Sequence, residues 1–193
     1  MLLIKKYKTE GARKIFENIC ITLFKKLYPK ENVRGVRVSL GDEGVDVFIG
    51  EIGEEPIDVI QCKFFPNFGN SQKSQITKSF KKALNSEEYE ISTWTLCIIN
   101  DFSIEENKWW IKWKKIQSEK RHLSNDSIYL KDGSSLIDLL KENNLYDTVF
   151  EKNDSKNIAK ILSKLNQENN YSLEELQSTL IKSSSALEKV KNY

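Results

Sequence analysis

The stretch that decides the fold is GDEGVDVFIGEIGEEPIDVIQCKFF, residues 41–65. Two apolar runs rich in β-branched residues flank the turn sequence GEIGEEP, and this pattern predicts two strands joined as a hairpin. One acid, Asp46, interrupts the first run, and Gln61 and Lys63 interrupt the second. Strands that form a core seldom carry such side chains, which points to a chemical role for these three.

Strand alternation predicts that the three polar residues share one face of the hairpin. Side chains alternate along a strand, so Gln61 and Lys63 lie on the same side. A hairpin that turns about Gly53 and Glu54 places Asp46 opposite Gln61, whereas a turn one residue later places it opposite Lys63. In either register, a carboxylate and an amide oxygen come close enough to bind a hard cation such as Mg²⁺. The lysine can then orient water or stabilise negative charge on a phosphate.

Hydrophobic periodicity predicts the elements around this hairpin. The predicted helices cover residues 9–27, 75–85, 103–121 and 133–144. The predicted strands cover residues 33–40, 45–49, 57–65, 92–100 and 127–132. Thr9 is placed to cap the first helix, and Ser103 with Glu106 forms a capping-box pattern at the third. The order predicts an α/β fold, a three-layer α/β/α domain with a central mixed sheet, over residues 1–150.

Residues 151–193 differ in composition from the rest of the chain. They contain no Trp or Gly and are rich in Lys, Asn, Ser and Glu. Helices are predicted here, with a narrow apolar seam formed by Leu173, Leu176, Leu180, Leu187 and Val190. The seam is consistent with packing on the first domain, with contact to a second copy in a homo-oligomer, or with a link to a further module.

Composition narrows the classes of function. The net charge is only +2, from 30 basic and 28 acidic residues, so any nucleic-acid surface must be local. The three cysteines are not spaced as metal ligands and are predicted to be reduced, buried thiols of a cytoplasmic protein. No apolar run is long enough to predict a membrane crossing. His122 is the single histidine, which disfavours histidine-dependent nuclease and Ser-His-Asp chemistry.

The pattern VD followed by QCK, with ARKIFENIC upstream, resembles the Mrr-like branch of the PD-(D/E)xK restriction-endonuclease superfamily, in which QxK is a common variant. The resemblance covers residues 9–150. It implies a restriction-endonuclease-like fold and a Mg²⁺-dependent endonuclease acting on DNA, with Mn²⁺ as a possible substitute. It assigns Asp46, Gln61 and Glu17 to the metal and Lys63 to catalysis. Residues downstream also resemble N-terminal nuclease domains of bacterial anti-phage defence proteins, where an NTPase or sensor module is attached.

The segment after the second hairpin strand is the longest part of the chain that carries only positive charge. Between residues 63 and 82 there are five lysines and no acid. This segment predicts a nucleic-acid surface contributed by Lys73, Gln75, Lys78, Lys81 and Lys82. The sequence KWWIKWKK also mixes aromatic and basic residues, but the spacing of Trp109, Trp113 and Ile116 favours core packing over base stacking.

Two alternatives to DNA cleavage remain open at the level of sequence. The same site would serve an RNA-cleaving nuclease. Gln61 is neutral where many related sites carry an acid, so the domain could also be a catalytically degenerate nuclease fold that only binds nucleic acid or a partner. Two further acids, Asp42 and Glu43, are predicted to be solvated in the turn, and Asp58 has the opposite strand parity from Gln61.

Overall fold

A computed structural model describes residues 2–36, 45–121 and 125–150 of the chain. The chain divides into two units, Met1–Tyr146 and Asp147–Tyr193. The predicted apolar seam of residues 151–193 lies outside the described residues, as do Asp42, Glu43 and His122.

The described residues form an α/β structure with a five-stranded mixed sheet. The helices are α1 (Leu2–Leu27), α2 (Asn70–Leu84), α3 (Ile104–Arg121) and α4 (Gly133–Glu142), with a short 3₁₀ helix at Asn125–Ser127. The strands are β1 (Val33–Gly35), β2 (Val47–Ile49), β3 (Ile57–Lys63), β4 (Ile91–Ile98) and β5 (Ile128–Lys131). The strand order is β1-β2-β3-β4-β5; the first two pairings are antiparallel, and those of β3 with β4 and β4 with β5 are parallel.

The element order predicted from sequence is confirmed within the described residues, but two helix starts are wrong. Helix α1 begins at Leu2, so Thr9 lies inside the helix and does not cap it. Helix α2 begins at Asn70 after Gly69, so the polar segment SQKSQ is helical. Polar residues on an exposed helix face give no apolar periodicity, which is why the pattern missed this turn.

The predicted capping box at the start of α3 is confirmed. The Ser103 backbone N–H donates to Glu106 Oε2 at 2.7 Å, and the Glu106 N–H donates to Ser103 Oγ at 3.3 Å. This reciprocal pair satisfies two N–H groups that the first helical turn leaves without intrahelical partners.

One face of the sheet packs against α2 and α3. Trp94 of β4 contacts the ring of Phe80 of α2, with 5.1 Å between centroids, and Phe80 also contacts Trp113 of α3. The Trp113 indole N–H donates to Thr77 Oγ1 at 2.9 Å, which joins the two helices. Core packing of the tryptophans is therefore confirmed. Trp110 is buried as well, while Trp109 is only partly buried at the edge of the cluster.

The opposite face packs against α1. Cys20 of α1, Cys62 of β3 and Cys97 of β4 are all free thiols with no more than 1% of their surface exposed, as predicted. Cys62 and Cys97 are paired across the parallel strands. Burial raises the pKa of the Cys97 thiol well above its usual value. These thiols behave as small apolar side chains that let α1 approach the sheet closely.

In the part of the chain that the structure describes, no helix has both the length and the apolar character that crossing a bilayer requires.

Candidate active site at the β2–β3 fork

The hairpin takes one of the two registers predicted for it. Val47 pairs with Ile60 and Ile49 pairs with Asp58, which places Asp46 opposite Gln61. The turn between the strands includes Gly50 and Gly53, both with positive φ, a conformation that glycine adopts without steric cost. The alternative register, with Asp46 opposite Lys63, is excluded.

Asp46 lies where β2 leaves β3, a point we call the fork. Its backbone carbonyl accepts from Val36 N at 3.0 Å, so the pairing with the β1 side continues past Gly35. The pairing of β2 with β3 ends at Val47 and Ile60. The Cys62 backbone N–H, which would meet a β2 carbonyl in a continued ladder, donates to Asp46 Oδ2 at 2.7 Å. The carboxylate thus replaces a backbone acceptor at the fork.

The Gln61 side chain completes this arrangement. Its Nε2 donates to the same Asp46 Oδ2. Because the amide nitrogen must face the carboxylate, the amide oxygen Oε1 points away from it. Gln61 is only 1% exposed, and among the described residues its Oε1 has no hydrogen-bond partner. A buried acceptor left unpaired costs about 1–3 kcal/mol, so this oxygen is placed to receive a ligand.

Lys63 ends β3 on the same strand face as Gln61 and is half-buried. Burial lowers the pKa of its ammonium group, and the negative charge of Asp46 partly offsets that effect. Burial likewise raises the pKa of the Asp46 carboxyl, while Lys63 and the Cys62 N–H act in the opposite direction. The Asp46 and Lys63 charges thus each favour the ionised form of the other group, against the effect of burial.

Glu17 shares a cleft with Asp46. The cleft has a volume of about 470 Å³ and is lined by Glu10, Arg13, Lys14, Glu17, Asn18, Ile21, Gly35, Val36 and Asp46. The Glu17 side chain is 17% exposed and accepts from Arg13 Nε at 2.8 Å. Its charge acts on both Asp46 and Lys63. The structure therefore brings Glu17 of α1 to the cleft that Asp46 lines, whereas Gln61 and Lys63 are not among the residues that line it.

Sequence reasoning missed Arg13. Its signal was present, since Arg13 precedes Glu17 by four residues and such pairs lie on one helix face. The charge of Arg13 lowers the pKa of Asp46 and also that of Lys63. The cleft and the hairpin therefore contribute three cationic side chains, Arg13, Lys14 and Lys63, of which only Lys63 was expected.

The structure does not bring the predicted α2 surface to the cleft. None of the five residues Lys73, Gln75, Lys78, Lys81 and Lys82 lines it. Lys73 Nζ lies 5.4 Å from the ring centroid of Trp109, and Gln75 Nε2 donates weakly to Ser71 Oγ at 3.5 Å. The remaining three lysines are exposed on the helix. Asp58, which strand parity predicted to lie off the site, accepts from Thr93 Oγ1 at 2.7 Å.

The oxygen donors at the fork and in the adjacent cleft are of the chemical kind that a hard divalent cation takes. The described residues contain no group of three or more His, Cys, Asp or Glu side chains arranged around a common metal position. The oxygen donors available are the two carboxylates of Glu17 and Asp46 and the unpaired amide oxygen of Gln61. Mg²⁺ commonly takes one or two carboxylates in proteins and keeps several waters, and these three oxygen donors are of that type.

Comparisons with known proteins assign no family to this chain. No protein-family model, curated protein or solved structure matches this chain. The chemistry of Asp46, Gln61, Lys63 and Glu17 is therefore the basis on which a function can be inferred.

Proposed function

We propose that this chain is a Mg²⁺-dependent endonuclease of the PD-(D/E)xK type that hydrolyses phosphodiester bonds in DNA. The observation that carries the proposal is the pairing of Asp46 with Gln61 at the fork, with a buried, unpaired amide oxygen and Lys63 two residues further along β3. An acid, an amide and a lysine in this order match the QxK variant of such a site, and the family resemblance rests on the same three.

The fold supports the proposal at a coarser level. An antiparallel hairpin, β2 and β3, leads into parallel strands, with α1 on one face of the sheet and α2 and α3 on the other. A three-layer restriction-endonuclease-like fold has this arrangement. Packing helices on both faces explains why β4 reads as a nearly continuous apolar run.

Asp46, Glu17 and the Gln61 Oε1 would hold the metal ion, with Mn²⁺ as a possible substitute for Mg²⁺. When bound there, the ion would lower the pKa of a coordinated water and neutralise charge on the phosphate. Lys63 orients the attacking water or stabilises the phosphoryl oxygens as negative charge develops on them. Gln61 also holds Asp46 Oδ2 in place, which leaves the second carboxylate oxygen for the ion.

A neutral Gln61 makes the contribution of Glu17 important. With Gln61 in the place of an acid, Asp46 alone would supply one negative charge to a divalent cation. Glu17 supplies the second from α1, and the shared cleft is consistent with that role. The preference for DNA over RNA and a role as effector in bacterial anti-phage defence, with an NTPase or sensor module attached, come from the family resemblance.

The test is a plasmid cleavage assay with Mg²⁺ on the full chain. Lys63→Ala should lower the cleavage rate at least about 100-fold, since it removes a charge that acts on the reacting phosphate. Lys131→Ala is the matched control, because Lys131 is also half-buried and also ends a strand. Equal cleavage by wild type and Lys63→Ala would refute the proposal. Parallel arms with single-stranded DNA and RNA identify the substrate.

A second candidate is a nuclease fold without catalysis that binds nucleic acid or a partner. The absence of a three-carboxylate cluster among the described residues favours it. Thermal unfolding during a Mg²⁺ or Mn²⁺ titration separates the two. A ligand at 100 times its Kd stabilises the native state by about 2.7 kcal/mol. A nuclease should show such a gain in wild type and lose it in Asp46→Ala, whereas a binding module should show none in either.

A further inference from the structure

A second pocket opens at the carboxyl ends of the parallel strands β3 and β4. It has a volume of about 240 Å³, and the side chains that matter below are Phe65, Phe68, Ile98, Asn100, Phe102 and Glu106. None of these six lines the cleft beside Asp46, so the pocket is separate from that cleft. The edge where parallel strands end at their carboxyl termini is a common position for ligand sites in α/β proteins.

Aromatic rings form one wall of this pocket. The Phe68 ring centroid lies 4.6 Å from that of Phe102 and 6.2 Å from that of Phe65. It also lies 5.6 Å from the ring centroid of Trp109 in α3. Phe65 and Phe102 are buried, whereas Phe68 is half-buried. The neighbouring rings therefore hold Phe68 in place while part of its surface stays open to a planar ligand.

The polar groups of the pocket are hydrogen-bond acceptors. Asn100 Nδ2 donates to the Phe65 carbonyl at 2.9 Å and to the Pro66 carbonyl at 3.2 Å. Only an amide nitrogen can donate to two carbonyls, so Asn100 Oδ1 is the side of the amide turned away from them. Glu106 accepts from the Ser103 N–H with Oε2, which leaves Oε1. Acceptors beside an aromatic ring favour a planar ligand that carries an amino group.

The charge of the lining disfavours a phosphate inside the pocket. Glu106 and Asp101 both line it and repel an anion. Ser134 already donates to both carboxylate oxygens of Asp101, through its backbone N–H and its hydroxyl. Asp101 therefore adds repulsion without adding an acceptor for a ligand.

Lys63 lies beside this pocket. It shares a face of β3 with Val59, which belongs to the core that α2 and α3 cover. Its partner in the parallel pairing is Ile98, which belongs to the same core and lines the pocket. Paired strands lie about 4.7–4.9 Å apart, so the pocket begins about one strand away from Lys63. A phosphate at Lys63 would bring its attached base to the pocket, whereas Lys63 would repel a cationic ligand.

We infer that this pocket binds an unpaired nucleobase that carries an exocyclic amino group, next to the phosphate at Lys63. The position beside the reacting phosphate rests on the proposed function, whereas the recognition of the base does not. The base stacks on Phe68, and its amino group donates to Asn100 Oδ1 and Glu106 Oε1. A base in a duplex must first be flipped out of the stack at a cost, so single-stranded nucleic acid is the preferred substrate.

The experiment compares two single strands whose bases differ in this group. Cytosine and thymine have rings of the same size, but cytosine carries an amino donor where thymine carries an oxygen acceptor. Labelled oligodeoxycytidine and oligothymidine of about 12 nucleotides are titrated with the full chain at pH 7 in CaCl₂. Fluorescence anisotropy gives each Kd, and a gel checks that the strands stay intact. Oligodeoxycytidine should bind at least about fivefold more tightly.

The acceptor is tested at Glu106. Glu106→Gln keeps the capping box, because glutamine also serves at this position. Its oxygen accepts from Ser103, so an NH₂ donor replaces Oε1, and the preference for cytosine should fall to about twofold or less. Glu105→Gln is the matched control, since Glu105 is an exposed acid of the same helical turn and does not line the pocket. It makes the same change in charge and should keep the preference.

The stacking is tested at Phe68. Phe68→Leu keeps an apolar side chain but removes the planar face, so both oligonucleotides should bind about fivefold to tenfold more weakly. Phe64→Leu is the control, because Phe64 is also half-buried but contacts Phe16 of α1 and does not line the pocket. Thermal-unfolding midpoints check that each variant is folded. If Phe68→Leu is not, the comparison of wild type with Glu106→Gln still decides.

A preference for cytosine that is lost in Glu106→Gln and kept in Glu105→Gln supports the inference. Equal binding of the two oligonucleotides by wild type overturns it, as does a preference that Glu106→Gln leaves unchanged. The proposed function fails on a different result, equal plasmid cleavage by wild type and Lys63→Ala. Since base preference is measured by binding alone, the two failures are distinguishable.

Discussion

Two aspartates of this protein each accept two hydrogen bonds, yet their surroundings differ. Asp101, before α4, accepts from the Ser134 backbone N–H at 2.7 Å with Oδ1 and from the Ser134 hydroxyl at 2.6 Å with Oδ2. It is exposed, and these hydrogen bonds lower the pKa of its carboxyl. Asp46, at the fork, receives both of its hydrogen bonds on Oδ2 and is half-buried, and burial raises its pKa.

The difference separates a carboxylate that stabilises the fold from one that is available to a ligand. Asp101 has both oxygens occupied at a helix N-terminus, where a negative charge is favourable. Asp46 has one oxygen left over beside a buried amide oxygen that has no partner among the described residues. Burying a charge without filling its hydrogen-bonding capacity costs stability, and such an arrangement is expected where a bound group supplies the missing interactions.

The largest expected effect is at the fork. Asp46→Asn keeps an oxygen for the Cys62 N–H but removes the charge that a divalent cation needs. We expect plasmid cleavage to fall at least about 100-fold while the free energy of unfolding at pH 7 without divalent cations stays unchanged or rises. Chemical denaturation beside the cleavage assay measures both. A large loss of stability would show that Asp46, like Asp101, is structural.

The reverse is expected at Asp101. Asp101→Ala removes a tertiary cap of α4 and should destabilise the protein by about 1 kcal/mol at pH 7, with little effect on cleavage. Because the folded pKa lies below the unfolded value of about 3.9, this stabilisation is present above that pH and disappears as pH falls through the folded pKa. Melting curves of both proteins should therefore converge in acid. A stability difference that persists there would contradict the role assigned to the charge.

The smallest effects are expected on α2, at the exposed Lys78, Lys81 and Lys82. None of these lines the cleft, so single alanine substitutions should weaken DNA binding by no more than about twofold and lower the salt dependence slightly. Anisotropy titrations at two salt concentrations measure this. If any of them weakened DNA binding about tenfold, nucleic acid would run along α2, as the sequence predicted.

Local patterns account for most of what could be read before the structure. The alternation of VDVFI and of IDVIQCK identified two strands and put Asp46, Gln61 and Lys63 in phase. The capping box of α3 and the burial of the three thiols could also be predicted, because each depends on neighbours within a few residues or on apolar surroundings. The nucleic-acid surface predicted on α2 stays a prediction, because a run of like charge says nothing about which way the helix faces, and its lysines do not line the cleft.

The sequence by itself determined the strands, the polar residues within them and two possible registers, since strand alternation is a property of the chain over a few residues. Only the tertiary structure decided the register, the departure of β2 from β3 at Asp46, and the burial of the Gln61 amide. It also decided that α1 brings Glu17 and Arg13 to the fork. These features depend on how distant segments pack against one another, and no local pattern carries that information.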